Sequence, residues 1–152
     1  MATIKKPLGA RTLVTNSAHN GLPAGTFVVL GTITHNTNQA IDDLVEVTVT
    51  AGASITVGKQ AIVYAKPSLD GTNFINGPET GTTTVEEPNL VLVGVIPFGT
   101  TGAAHTGIFS LASAYDGNLP YASKLILKND SGATLGASGN TVYHAEVTST
   151  VA

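Results

Sequence analysis

Four histidines, ten carboxylates and many serines and threonines are the groups of this sequence that could do chemistry, and there is no cysteine. Thiolate metal sites, cysteine nucleophiles and a disulfide framework are therefore excluded. His19, His35, His105 and His144 stand in separate segments, and none forms an H-E-x-x-H spacing that would put two ligands on one helical face. No metal site is expected. His144 alternates with Val142 and Glu146 and reads as a hydrogen-bonded strand histidine, whereas His19 and His35, each followed by asparagine, read as loop residues.

Nucleophilic catalysis fares no better. A serine hydrolase needs its nucleophile on a strained turn, and no G-x-S-x-G occurs; Gly136-Ala137-Ser138-Gly139 reads as a turn. Gly99-Thr100-Thr101-Gly102 lacks the lysine and following helix of a phosphate cradle. The paired carboxylates Asp42-Asp43 and Glu86-Glu87 are adjacent, so on a strand they point to opposite faces and are poor candidates to flank one sugar. A calcium loop would need more carboxylates at alternate positions than Asp42-Asp43 provides. The expectation is a protein with no catalytic residues and no cofactor. One constellation fits a ligand: Tyr115, Asp116, Asn118 and Tyr121 cluster around a turn, where a ring could stack on a pyranose and the polar groups could bind its hydroxyls. The plainer reading is that these aromatics anchor a loop.

Charge narrows the partners. Charged residues are 11% of the chain, against about 25% in ordinary domains. Lys5, Lys6 and Arg11 lie in the first eleven residues, ahead of any acidic residue, and from Thr12 onward four lysines face ten carboxylates, so an arm of +3 precedes a body of −6. A basic arm of this kind suits docking on an acidic partner surface. With formal net charge −3 and no basic-aromatic interleaving, nucleic-acid binding is disfavoured. The apolar stretches around Phe27–Leu30 and Leu90–Phe98 fall far short of the roughly 20 residues of a membrane-spanning helix, so no membrane role is expected. Residues 1–10 carry no continuous apolar run, so no secretory signal is expected and synthesis in a cytoplasm is.

The elements that must position these groups read as strands. Apolar residues recur with period two in short runs bounded by Gly, Pro, Asn or Asp. In Leu44–Thr50, Val45, Val47 and Val49 share one face while Glu46, Thr48 and Thr50 share the other. In Thr26–Thr34, Phe27, Val29 and Ile33 are expected on one face, and partly apolar Val28 and Leu30 opposite them suggest a central strand. Further strands are expected at Arg11–Thr15, Gln60–Lys66, Leu90–Pro97, Gly107–Ala112, Ser123–Lys128 and Thr141–Ser149. Asp70-Gly71, Asp116-Gly117 and Asn129-Asp130-Ser131-Gly132 supply tight turns. No segment of ten residues keeps helical apolar spacing, so crossover helices and a parallel sheet are excluded. The expected architecture is an all-β antiparallel sandwich, jelly-roll-like, with an open barrel as the alternative. Its expected division is an extended basic arm over residues 1–11 and a single β-sandwich domain over 12–152. The Thr-rich stretch Gly77–Pro88 and the Gly/Thr/Ala stretch Gly99–Thr106 are the expected mobile loops.

Tyr64-Ala65-Lys66-Pro67-Ser68-Leu69-Asp70-Gly71-Thr72-Asn73-Phe74, a strand, tight turn and aromatic anchor, resembles segments of small bacteriophage virion proteins. Leu119-Pro120-Tyr121, Leu125-Ile126-Leu127-Lys128-Asn129-Asp130-Ser131-Gly132, Leu135 and the closing strand from Asn140 resemble phage head-decoration, or cement, proteins. The resemblance covers roughly Gln60 to Val147 and carries no functional motif. It implies a non-enzymatic protein on the outside of a virion capsid, bound to the major capsid protein, trimeric, and stabilising the shell. Ile4, Lys5, Lys6 and Arg11 are the expected arm contacts. A tail or head-fibre module recognising host-surface glycan, and a general β-sandwich binding domain, are the alternatives.

Overall fold

The computed structural model describes residues 4–5, 7–35 and 40–151, and period-two patterning in them becomes strand almost throughout. In chain order the strands are β1 (Ile4–Lys5), β2 (Thr12–Thr15), β3 (Phe27–Thr34), β4 (Ala40–Thr50), β5 (Gln60–Ser68), β6 (Val91–Pro97), β7 (Ala104–Ser110), β8 (Ala122–Asp130), β9 (Thr141–Thr148) and β10 (Thr150–Val151). Among the described residues helix is confined to a 3₁₀ turn at Glu87–Asn89 and one α-turn, α1 (Leu111–Ala114), which Ser110 caps by accepting from the Ser113 N–H.

Two four-stranded antiparallel sheets result, one in the order β2-β9-β4-β7 and the other in the order β3-β8-β5-β6, with β1 and β10 forming a separate pair. Most connections cross from one sheet to the other, and that interleaving of two Greek keys is the jelly roll. Between the sheets lie Val45, Val47, Val49, Val63, Leu125, Leu127 and Val142, all fully buried. As the alternation requires, Glu46, Thr48 and Thr50 point away from them.

The structure corrects the reading of β3. It is an edge strand, and a bulge between Val29 and Gly31 breaks its alternation. Phe27 therefore lies on the outer face with Ile126 and Leu90, while Leu30 and Ile33 enter the inter-sheet core with Val28. Gly31 follows from this: a Cβ there would lie 2.5 Å from Val14 Cγ1, so only glycine lets β3 approach β2 this closely. The expected strand Gly107–Ala112 is also displaced. Its true span begins at Ala104, and Leu111 and Ala112 turn into α1 to bury themselves against the core.

The loop expected to be mobile, Gly77–Pro88, is tied across the outer face of β8 and β5. Lys66 and Lys124 face each other across these strands, a like-charge pair that would repel, and Glu79 sits between them at 2.7 and 2.9 Å. Glu87 accepts from Lys128 Nζ and from the Tyr64 hydroxyl at 2.8 Å. Phe27 N–H donates to Gly81 O, and Leu90 packs on Phe27 and Ile126. The second expected loop is shortened by the early start of β7, and His105 is bonded back to Thr100 O at 3.0 Å.

Candidate functional site

Among the described residues, three places gather groups that could meet a ligand or partner. The first is the outer face of the β2-β9-β4-β7 sheet. Pairing aligns Leu13, Tyr143, Glu46 and Ile108 in one row across all four strands. Leu8, Leu13 and Ile108 are 61%, 48% and 65% exposed and gather on this face, whereas other exposed apolar side chains such as Leu69 and Val85 stand on loops. Leu8, Leu44, Ile108, Tyr143 and Ala145 wall a depression of about 140 Å³. Arg11 closes one side of it. Its guanidinium lies 3.3 Å from the centre of the Tyr143 ring and donates to Glu46 Oε1.

Residues 7–11 run against β9: Leu8 bridges Val147, Gly9 N–H donates to Glu146 O at 2.7 Å, and Thr148 N–H donates to Pro7 O. Of the four expected arm contacts, Ile4 and Lys5 pair through their backbone with Val151 and Thr150. Arg11 is engaged by Glu46 and Tyr143, and Lys6 lies outside the described residues.

The second place is a buried polar chain at one end of the sandwich. Asp43, on β4, has no exposed surface and its carboxylate receives two imidazoles. His144 Nδ1 donates from β9 at 2.9 Å to Oδ1, and His35 Nδ1 from the end of β3 at 3.2 Å to Oδ2. On its other side His35 Nε2 meets Ser123 Oγ of β8 at 2.9 Å, and the Tyr115 hydroxyl donates to the same Oγ at 3.0 Å. Burial alone would raise the Asp43 carboxyl, but hydrogen bonds from both histidines outweigh it and hold the group below the ordinary carboxylate value. The bond to Asp43 raises His144 above the ordinary imidazole value against the opposing effect of burial. The order Asp43, His35, Ser123 is that of an acyl-transfer triad. Ser123, however, is fully buried and Tyr115 fills its remaining approach, so no substrate reaches the hydroxyl.

The third place is the turn proposed for sugar. Asp116 has φ +54° and Gly117 φ +90°, the tight turn its Asp-Gly pair foretells. Asp116 and Asn118 are exposed, and Tyr121 is 39% exposed. Tyr115 instead packs against the core, and burial pushes its phenol up to about 12. The structure thus gives Tyr115 an anchoring position and leaves three of the four residues open.

Asp42, Asp70 and His19 serve the fold. Asp42 and Asp43 point to opposite sides as expected: Asp42 accepts from Ser110 Oγ and Ala112 N–H. Asp70 accepts from Ser68 Oγ, Thr72 N–H and Asn73, which fixes the Leu69–Asn73 turn. His19 is fully buried with Nε2 on Thr48 O at 2.9 Å, and burial lowers it below the ordinary imidazole value. Among the described residues no cluster of His, Cys, Asp and Glu has the geometry of a metal site, and no helix is long and apolar enough to cross a membrane.

Sequence reasoning missed the His35–Asp43–His144 chain. His35 and Asp43 lie on successive segments with no pattern joining them, and His144 is distant in sequence, brought in only by the Val45–His144 pairing of β4 with β9. It also missed the apolar row, because single leucines and isoleucines in alternating strands look identical whichever face they occupy. Compared with known protein families, with curated proteins and with solved structures, the chain has no match.

Proposed function

We propose that this protein is a non-enzymatic structural module of a bacteriophage virion, a decoration protein that binds the outer capsid surface and stabilises the shell. The observation that carries the reading is the exposed patch on the outer face of the β2-β9-β4-β7 sheet, where Leu8, Leu13 and Ile108 stand around the Arg11–Tyr143 stack and its Glu46 partner. Apolar side chains ringing an arginine-aromatic pair have the composition of a protein-docking centre. The jelly roll supports the reading as a fold that viral coat domains use, although lectins and cupins use it too. So does the resemblance of Gln60 to Val147 to cement proteins. In this account this face seats on the major capsid protein, and Ile4, Lys5, Lys6 and Arg11 are the proposed arm contacts. A homotrimer on the capsid exterior would add several such contacts through effective concentration, so that rupture of the shell must break many together.

Each large aliphatic side chain fully buried on docking contributes about 1.5–3 kcal/mol. Replacing Ile108 by aspartate removes one such contribution and adds a charge at the centre. The expected result is loss of co-sedimentation with capsids while the unfolding temperature is retained, because Ile108 is already solvated in the free protein. Unchanged co-sedimentation of Ile108→Asp would remove this face from the account. A glycan-binding module would have to work with Asp116, Asn118 and Tyr121, since the Tyr115 hydroxyl is bonded to Ser123. Sugar-array binding that disappears in Tyr121→Ala would favour that reading.

A further inference from the structure

We propose that the His144–Asp43–His35 cluster is a proton-operated clamp that fastens the two sheets and the Pro7–Thr12 segment at one end of the sandwich, tight when His144 carries a proton and looser when it is neutral. The geometry supplies the three parts such a device needs. The first is a bridge: His144 and Asp43 belong to the β2-β9-β4-β7 sheet, Ser123 belongs to the other and His35 directly follows its strand β3, so the hydrogen-bonded chain spans the gap between sheets. The second is a proton entry. Asp43, Ser123 and His35 are sealed, whereas His144 reaches a cleft of about 380 Å³ lined by Gly9, Ala10, Thr12, Thr32, Thr34 and Glu146. The third is a load, because Thr12 pairs with His144 and Gly9 N–H is bonded to Glu146 O, so the segment leading into β2 rests on the titrating residue.

The charges around His144 set the direction. Asp43 faces it from β4, Glu146 flanks it on β9, and His35 approaches from the end of β3 through Asp43. Ser123 of β8 and Tyr115 beyond α1 complete the chain with neutral hydroxyls. Arg11 of the N-terminal segment is held by Glu46 and Tyr143 on the sheet's outer face. Protonated His144 is thus the cation that meets the buried Asp43 carboxylate directly. When it is neutral, the carboxylate loses this charged donor, and His144 must also hold its proton on Nδ1 to keep the bond at all. The clamp is weakened in that state without being abolished, because His35 still donates.

The test is residue-resolved amide hydrogen exchange on the wild-type chain, with protection factors corrected for intrinsic rates, from about pH 5.5 to about pH 8, where imidazoles titrate. Gly9, bonded to Glu146 O, and His35, whose N–H donates to Tyr121 O, report on the clamped end. Thr56 and Gly58, bonded to Ser131 O and Phe98 O at the opposite end, are internal controls. Protection at Gly9 and His35 is expected to fall severalfold as pH rises, with the midpoint of the His144 imidazole resonance, while Thr56 and Gly58 stay constant. In His144→Gln the Gly9 and His35 protection should no longer change with pH. Equal changes at both ends, or a midpoint displaced from that of His144, would overturn the clamp, and the wild-type comparison decides this even where the variant folds poorly. The clamp does not rest on the capsid reading, and the exchange experiment contains no capsid.

Discussion

Gly94→Ala is a perturbation whose sign the packing decides against propensity. Gly94 lies on β6 and faces the edge of the sandwich where Phe109 of β7 reaches across. A Cβ at Gly94 would lie 2.2–2.3 Å from Phe109 Cε1 and Cδ1, far inside contact distance, and one at Gly107 would lie 2.4 Å from Phe109 Cζ. The two glycines are thus the floor on which this ring lies. In a strand, alanine in place of glycine gains about 0.5–1 kcal/mol of backbone entropy. Forcing a methyl into a packed aromatic contact costs about 1–3 kcal/mol, so the net expectation is a loss of about 0.5–2 kcal/mol. For a domain of this size that corresponds to a fall of roughly 1–8 °C in Tm. Scanning calorimetry of wild type, Gly94→Ala, Phe109→Leu and the double variant closes a cycle in which a smaller side chain at 109 should relieve the clash, making the double variant more stable than the sum of the singles predicts. Additive losses, or a Gly94→Ala protein as stable as wild type, would show that Phe109 does not rest on these glycines.

Stability should also depend on pH with a defined sign. His144, raised, contributes stability that is complete below its unfolded value of 6.5 and is lost as pH rises through the folded one. Asp43, lowered, contributes stability present above 3.8 and lost as pH falls through its folded value. Tm for this pair therefore peaks between about pH 4 and about pH 6.5, and Asp43→Asn should flatten both limbs in a pH series of thermal melts. Glu79→Gln leaves Lys66, 5% exposed, and Lys124 facing each other without their anion. An expected loss of about 1–3 kcal/mol, discounted because Glu79 is partly solvated, should appear in urea unfolding together with faster proteolysis in 77–88. Tyr115→Phe removes one donor from Ser123 and should cost about 0.5–1.5 kcal/mol in the same assay.

The strands were legible where a period-two pattern runs unbroken, as at Val45, Val47 and Val49, or where an Asp-Gly or Asn-Asp-Ser-Gly run ends them. The phase of β3 was not, because a bulge at Leu30 is a backbone event that leaves no mark in residue types. Ala104, His105 and Thr106 have no apolar alternation, so the true start of β7 was read as loop, and the apolar Leu111 and Ala112 were read as strand when Ser110 caps a helical turn there. The Gly77–Pro88 loop has a mobile composition, and its two anchoring glutamates find their lysines only once β5 and β8 are neighbours. Asp42-Asp43 was correctly separated onto two faces, yet the two histidines that meet Asp43 come from β9 and from the end of β3, which pattern alone could not join. The candidate site was legible as residue types and illegible as geometry.

The proposed docking face is tested by co-sedimentation of the purified chain, its solution mass fixed by light scattering, with capsids lacking their decoration protein. The account predicts a trimer that pellets with capsids and an Ile108→Asp variant that keeps its fold and mass but stays in the supernatant. A monomer that remains in solution with every capsid tested, or an Ile108→Asp variant that pellets like wild type, would contradict it.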